Sequence, residues 1–300
     1  MPIESFFFVH NPTAGRGAAA TAWKRIRPVL DAAGVRYGIV TTEAPRHAEA
    51  IAERAAGDGW DAVVAVGGDG TVQQVAAGLM RAADGGPTIP MGVVGVGSGN
   101  DFIKLLDLPQ QQPEAAARRL LEGRIRRVDI GRVGERYFTN GVGVGFDAQV
   151  AIRASRIRHL RGMPLYGWAL LKVLRSLQTP RIRLLLDGVE VMNERLTVVT
   201  IGNGACHGGG FWICPGARPD DGLFDICVAE ALTPLQLLRV IPAVMRGTHV
   251  TRPDVQILQA RHVHISSPDP LPVHADGEVL AEAVHELELE LLPGRLTVLA

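Results

Sequence analysis

Apolar residues in the first third of the chain come in short unbroken runs, each followed by a stretch in which they recur every three or four positions. The runs at 5–10, 37–41, 61–66 and 91–96 are rich in Val, Ile or Phe, which predicts buried strands. The stretches at 18–33, 46–56 and 71–82 carry the helical period, with Pro28 expected to bend or end the first. Strands alternating with helices predict an α/β domain whose parallel sheet is covered on both faces. After about residue 127 the rhythm changes. Runs at 132–138, 181–186, 195–201, 223–229, 255–265 and 284–292 are separated by turn signals, and helical patterns remain only near 165–177 and 234–246. This predicts a mostly antiparallel, sandwich-like β domain. The expected division is 1–128 for the α/β domain and 129–300 for the β domain.

Composition narrows the function classes. The 31 Lys and Arg residues balance 31 Asp and Glu, so the basic footprint of a nucleic-acid binder is missing. Three cysteines, Cys206, Cys214 and Cys227, have no CxxC spacing and are expected to be reduced, small and buried. No basic segment precedes an apolar run at the N-terminus, and no 18-residue uncharged apolar stretch exists, so neither a signal peptide nor a membrane span is expected.

The 35 glycines are clustered, and the clusters follow strands. Val63-Val64-Ala65-Val66 leads into Gly67-Gly68-Asp69-Gly70-Thr71, where the third helix-like stretch begins. Glycines there let backbone N–H groups approach phosphate oxygens, and the helix N-terminus adds donors and a positive dipole end. Asp69 repels a phosphate directly but fits if Mg²⁺ lies between them; a turn in which Asp69 only caps the helix is the plainer alternative. Asn11-Pro12-Thr13-Ala14-Gly15 follows the first strand and Gly97-Ser98-Gly99-Asn100-Asp101 the fourth. All three loops fall at the carboxyl ends of predicted parallel strands, where ligands bind in such sheets. Neither GxxxxGK[ST] nor GxGxxG is present.

In this order and spacing, NPTAGRG, GGDGT and GSGND resemble the diacylglycerol kinase catalytic domain, a family that includes sphingosine, ceramide and bacterial lipid kinases. The resemblance continues through Gly143–Ala148 (GVGFDA), Asn203–Gly210 (NGACHGGG), Pro219–Asp225 (PDDGLFD) and Asp276-Gly277-Glu278, and so spans essentially the whole chain. It implies an α/β nucleotide domain related to phosphofructokinase and NAD kinase, followed by a β-sandwich domain. It implies that Asn11, Gly15, Thr42, Gly67, Gly68, Asp69, Gly70, Thr71 and Ser98 line an ATP site, with Thr41 the alternative to Thr42.

Phosphoryl transfer needs somewhere for the acceptor's proton to go. His274-Ala275-Asp276-Gly277-Glu278 reads from its residues as a β-hairpin turn, since Asp-Gly is favoured there. The resemblance assigns Glu278 as proton acceptor, with Asp276 assisting through water or metal. It also implies a structural Mg²⁺ held by the Asp221 side chain and the carbonyls of Arg218 and Leu223, and a second Mg²⁺ arriving with ATP near Asp69. This chain departs from its relatives at Gln73-Gln74, where Asn-Glu is usual, and at Ser98, where Thr is frequent.

Between Asp147 and Asp187 there are eight Lys or Arg residues and no Asp or Glu: Arg153, Arg156, Arg158, Arg161, Lys172, Arg175, Arg181 and Arg183. Tyr166, Trp168 and several leucines are interleaved, a pattern suited to an anionic membrane surface or to a core helix with solvated arginines. His262, His264 and His274 are read as incidental surface residues rather than a zinc site. The expected activity is an ATP-dependent lipid kinase acting on diacylglycerol or a related lipid, cytoplasmic and peripheral to the inner membrane face, with a homodimer admitted and nucleic acid excluded. An NAD kinase-like enzyme explains the first loop less well and does not call for DGE. A non-catalytic lipid-binding protein would have had no reason to keep both Asp69 and Glu278.

Overall fold

The computed structural model describes residues 3–157 and 163–300, with side chains for all of these except 163–167. Two units are present. The first comprises Met1–Ile130, Pro219–Gly222 and Leu292–Ala300; the second comprises Gly131–Arg218 and Leu223–Leu291.

In the first unit β1 (Ser5–His10), α1 (Ala18–Ala33), β2 (Arg36–Thr41), α2 (His47–Gly57), β3 (Ala62–Gly67), α3 (Asp69–Ala82) and β4 (Met91–Gly95) alternate as the apolar pattern predicts. The strands lie in the order β4-β3-β1-β2, all parallel. Each of β3 and β4 is buried along its whole length, which is why their sequences are unbroken apolar runs rather than alternating ones. On one face Phe6, Phe8, Val64, Val66 and Val94 pack with Ile26 and Leu30 of α1, and with Leu120 of α5 (Pro113–Glu122). Trp23 and Tyr37 meet the Phe8 ring edge-on, with centroids 5.2 and 6.5 Å away. Pro28 does not end α1: it and Lys24, whose carbonyl loses its helical donor, lie on the exposed side where water serves that oxygen. The short α4 (Asp101–Leu105) and β5 (Ile125–Val133) complete the leading segment.

Two later pieces of chain return to this unit, and Asp129 fastens both. Its carboxylate accepts the amide of Gly222 at 2.8 Å and that of Gly294 at 2.7 Å, and its own amide donates to the Pro219 carbonyl. Arg126 pairs with Asp220 at 2.7 Å beside it. Burial raises the Asp129 pKa, against the pull of the two amides.

The second unit is antiparallel: β6 (Arg136–Phe138), β7 (Gly141–Gly145), β8 (Arg181–Leu186), β9 (Val189–Gly202), β10 (Phe224–Glu230), β11 (Val255–Ala260), β12 (His262–Ala275) and β13 (Glu278–Leu299), whose last residues belong to the first unit. Strands β11, β10, β9, β7, β12 and β13 are neighbours in that order, and β8 bridges β12 and β9. Phe138 and Phe224 stack at 5.6 Å within its core. α6 (Phe146–Ser155), α7 (Met163–Leu174) and α8 (Pro234–Met245) are its helices.

The predicted strand at 255–265 is two strands. The Asp187 carboxylate accepts the amides of both Arg261 and His262, at 3.0 and 2.9 Å, and so interrupts the ladder between β11 and β12. β12 then continues well past Ile265, and Pro268 and Pro270 sit where its pairing with β13 shifts register.

Candidate active site

Three loops of the first unit meet at the carboxyl ends of β1, β3 and β4. Asn11, directly after β1, donates through Nδ2 to Thr71 Oγ1 at 3.0 Å, and its Oδ1 accepts the amide and hydroxyl of Thr13. Gly15 has φ +58°, and a Cβ there would overlap the Val96 carbonyl oxygen at the end of β4. Gly68 and Gly97 face each other so closely that a Cβ on Gly97 would lie 2.7 Å from the Gly68 Cα. Around Gly70, by contrast, nothing lies within 4 Å of where a Cβ would be. Ser98 is exposed and Thr42 half-buried, the latter donating its amide to the His10 carbonyl at 2.8 Å. Thr71 is buried, and its side chain fills the space that a Cβ on Gly67 would need.

Asp69 opens α3, yet it does not cap that helix. Its two oxygens accept the amides of Asn100 at 2.7 Å and Asp101 at 2.6 Å, at the start of α4. The carboxylate therefore ties the GGDG loop to the GSGND loop while standing half-buried between them. Burial, and then the neighbouring charge of Asp101, raise its pKa above the usual carboxylate range; the amides of α4 pull it back only in part. Asp101 is itself buried and pairs with Lys104 at 3.2 Å.

In the second unit, Asp276 (φ +47°) and Gly277 (φ +82°) are the two central residues of the β12–β13 hairpin, both left-handed as a type I′ turn requires. The turn and the DGE motif are the same object. Asp276 is fully engaged: Oδ2 accepts the Thr139 amide at 2.7 Å and hydroxyl at 3.0 Å, and Oδ1 accepts the amides of Asn140 and Gly141, both at 2.9 Å. Each of its two oxygens thus accepts two hydrogen bonds from the segment that leads into β7. Glu278, two residues on, has a half-exposed carboxylate 3.8 Å from Arg136 Nη1.

Two residues outside the expected set buttress this clasp. The Asn203 side chain donates to the Thr139 carbonyl at 2.8 Å, and the amides of Asn203 and Gly204 both donate to the Asn140 carbonyl. Asn203 belongs to NGACHGGG, which gave a signal without a role; Asn140 carried no signal of its own. The GVGFDA stretch is likewise explained by packing. Gly143 leaves the space that the Asp147 carboxylate and the His274 ring occupy, and Thr200 donates to Asp147 at 3.0 Å.

Arg218, Asp221 and Leu223, implied to hold a structural magnesium, fall within six residues of chain. Asp221 is exposed, as is Arg218, and Leu223 is half-buried. Among the described residues no three His, Cys, Asp or Glu side chains gather to hold a metal. A hard cation at Asp69 would therefore complete its shell with phosphate oxygens and waters, as Mg²⁺ commonly does with nucleotides. His264 pairs with Glu286 at 2.7 Å across the β12–β13 ladder. The three cysteines are buried thiols outside any disulfide, and burial followed by the charge of Asp147 pushes the Cys227 thiol up to about 12.

Of the basic segment, Arg158, Arg161 and Leu160 lie outside the described residues. Arg156 pairs with Glu282, and Arg183 with Glu190 at 2.7 Å, so part of the apparent positive excess is matched by carboxylates from elsewhere in the chain. Trp168 is half exposed, with Lys172 Nζ 5.6 Å from its ring centroid.

Residues 5–133 match the diacylglycerol kinase catalytic domain, and residues 140–300 match the YegS C-terminal NAD kinase beta sandwich-like domain. A diacylglycerol kinase of Mycobacterium tuberculosis (strain ATCC 25618 / H37Rv) is 34% identical over 294 residues, 96% of this chain and 93% of that protein. The diacylglycerol kinase of Bacillus subtilis (strain 168) is 29% identical over 273 residues, 90% of this chain and 88% of that one. In fold, the chain is similar to a crystal structure of a diacylglycerol kinase from Bacillus anthracis str. Sterne, with a TM-score of 0.74 and 23% identity over 99% of this chain and 96% of that chain.

Proposed function

This chain belongs to the diacylglycerol kinase family, and from that premise we propose that it transfers the γ-phosphate of ATP to a hydroxyl of diacylglycerol or a related lipid. The observation that carries the reading is the meeting of three glycine-lined loops at the carboxyl edge of a parallel sheet, around a carboxylate held by two backbone amides. Gly70 leaves open space at the start of α3, and a helix N-terminus with a positive dipole end and such an opening suits phosphate oxygens. Asn11, Gly15, Thr42, Gly67, Gly68, Thr71 and Ser98 form the rest of the nucleotide site. Magnesium, when bound with the nucleotide, supplies charge neutralisation on the phosphates, and Asp69 is the carboxylate of this chain that would face it.

Glu278 takes the proton of the acceptor hydroxyl. Its half-exposed carboxylate is free of the backbone bonds that occupy Asp276, and the type I′ turn fixes its Cα two residues from that anchor. The lipid is reached from the membrane surface: no helix among the described residues is long and apolar enough to cross a bilayer, and α7, which exposes Trp168 and Leu171 beside Lys172, offers an anionic leaflet a complementary surface.

The test is a transfer assay with labelled ATP and diacylglycerol, sphingosine, phosphatidylglycerol or NAD in mixed micelles. Phosphorylation of a lipid and not of NAD is expected. Glu278→Gln is expected to lower kcat by about 10²–10⁴-fold with ATP binding unchanged. Full turnover by that variant would sink the mechanism even with the family membership intact.

A further inference from the structure

The outer face of α8 is apolar and exposed among the described residues. Local signals define this helix sharply. Thr233 Oγ1 accepts the Gln236 amide at 3.3 Å, the Gln236 side chain accepts the Thr233 amide at 2.8 Å, and Pro234 occupies the first turn. Leu237 and Val240 are buried, joining Leu174, Leu232 and Val255 in a core cluster, and Val244 packs against it. With that face inward, a soluble helix should turn polar residues outward. This one does not. Leu235, Leu238, Pro242 and Met245 are exposed at helical spacing on the opposite face, and only Arg239 and Arg246 interrupt them. Leu235 is 57% exposed, Leu238 42% and Met245 42%, values that rule out a concealed packing role.

An aromatic residue borders the stripe. The Trp212 amide donates to the Val244 carbonyl at 3.1 Å, which sets this 41% exposed indole at the C-terminal end of α8. The charge of the region has one sign. From Glu230 to Asp254 the chain has Arg239, Arg246 and Arg252 and no acidic residue, and neither Arg239 nor Arg246 is paired with a carboxylate among the described residues. Leucines flanked by unpaired arginines, with a tryptophan at the margin, match the acyl–headgroup boundary of an anionic leaflet: aliphatic chains enter, guanidinium groups stay with the phosphates, and the indole sits at the headgroup level. A second copy of the chain fits less well, because a two-fold contact on this face would bring arginines of like charge together. α7 packs on the same core cluster through Leu174 and also exposes Trp168 and Leu171.

We propose that α8 is an interfacial helix which lies on an anionic bilayer with Leu235, Leu238 and Met245 inserted, and so sets how the lipid kinase proposed above meets its substrate. This rests on that reading for its purpose but not for its test. Flotation of the full chain with phosphatidylcholine vesicles, alone or with phosphatidylglycerol at about a third of the lipid, reads binding directly. Binding to the anionic vesicles only is expected, falling by about tenfold or more in Leu235→Ser/Leu238→Ser and in Arg239→Glu/Arg246→Glu. Turnover of a detergent-dispersed short-chain diacylglycerol should be unchanged in both, since neither pair touches the nucleotide or Glu278, and matched thermal melts report that the variants are folded. Unchanged flotation in both folded variants overturns the proposal. So does a parent dimer, seen by analytical ultracentrifugation, that Leu235→Ser/Leu238→Ser dissociates without weakening flotation, which would assign the face to a second copy. Vesicle binding through α8 by a chain that phosphorylates no lipid supports the interfacial helix and removes the kinase reading instead.

Discussion

Thr139 gives Asp276 two hydrogen bonds, one from its backbone N–H at 2.7 Å and one from its hydroxyl at 3.0 Å. Together with the amides of Asn140 and Gly141 they fasten the tip of one hairpin to the start of β7, and Glu278 leaves that tip as the next residue after Gly277. A carboxylate so engaged acts through what it holds in place.

Replacing Asp276 by Ala should therefore strand three backbone donors and destabilise the protein by about 2–4 kcal/mol. Asp276→Asn, which keeps one acceptor oxygen, should lose less. In both, kcat should fall while KM for ATP stays put, because the displaced group is Glu278. Urea denaturation with steady-state kinetics checks this; a KM effect with kcat preserved would show that Asp276 serves the nucleotide directly.

Two glycines on the same side of the first unit should behave oppositely. Gly15→Ala places a methyl group into the Val96 carbonyl at a positive φ, and is expected to cost about 2 kcal/mol or more. Gly70→Ala meets nothing and lies in the first turn of α3, so the thermal midpoint should hold or rise slightly. Its methyl group would nonetheless stand where phosphate is proposed to approach. A raised KM for ATP in a fully stable Gly70→Ala protein is the expected result of kinetics paired with a melt.

The raised pKa of Asp69 has two consequences of opposite sign. Activity should fall on the acid side with an apparent pKa above the ordinary carboxylate value, because protonation removes the negative charge proposed to face the metal and an acceptor of the α4 amides. Stability runs the other way: for a group whose folded pKa is raised, its contribution is greatest below the unfolded value and declines as pH rises through the folded one. Asp129, raised chiefly by burial, adds to the same decline. A pH series of kcat/KM for the parent, beside urea stability of the parent and Asp129→Asn, measures both.

Divalent metal is proposed to arrive with the nucleotide and to face Asp69, so its binding there should strengthen when the nucleotide is present. Calorimetric titration of Mg²⁺ is expected to show weak affinity for the protein alone and a marked gain with a non-hydrolysable ATP analogue present. EDTA should abolish transfer with little change in the melt.

The parallel half of the fold was readable because β1, β3 and β4 are buried along almost their whole length and so write themselves as apolar runs, while the exposed edge strand β2 shows only in its Tyr, Ile and Val. β7 was not readable, since Gly141–Gly145 alternates glycine with valine, and its glycines exist to admit Asp147, His274 and His207 from neighbouring elements. The break after Ala260 was equally hidden: it depends on a carboxylate at Asp187, seventy-odd residues earlier in the chain. Near the candidate site, loop positions followed from the strand order alone. The partners of each carboxylate did not. Asp69 capping α4 rather than α3, and Asp129 joining Gly222 to Gly294, are long-range hydrogen bonds that no local spacing encodes.

The last strand has a consequence for how the protein is made. Residues 292–300 leave the ribosome after all of the second unit, yet Val298 pairs with Met91 on β4, and Thr88 and Arg124 bond to Arg295 and Ala300. Until they arrive, the nascent nucleotide half carries a bare strand edge at β4 and lacks the partner of Asp129 at Gly294. Vectorial synthesis thus delivers the first half early and leaves it unsealed, an invitation to chaperones. It follows that residues 1–130 expressed alone should aggregate unless the closing strand is supplied in trans or grafted on.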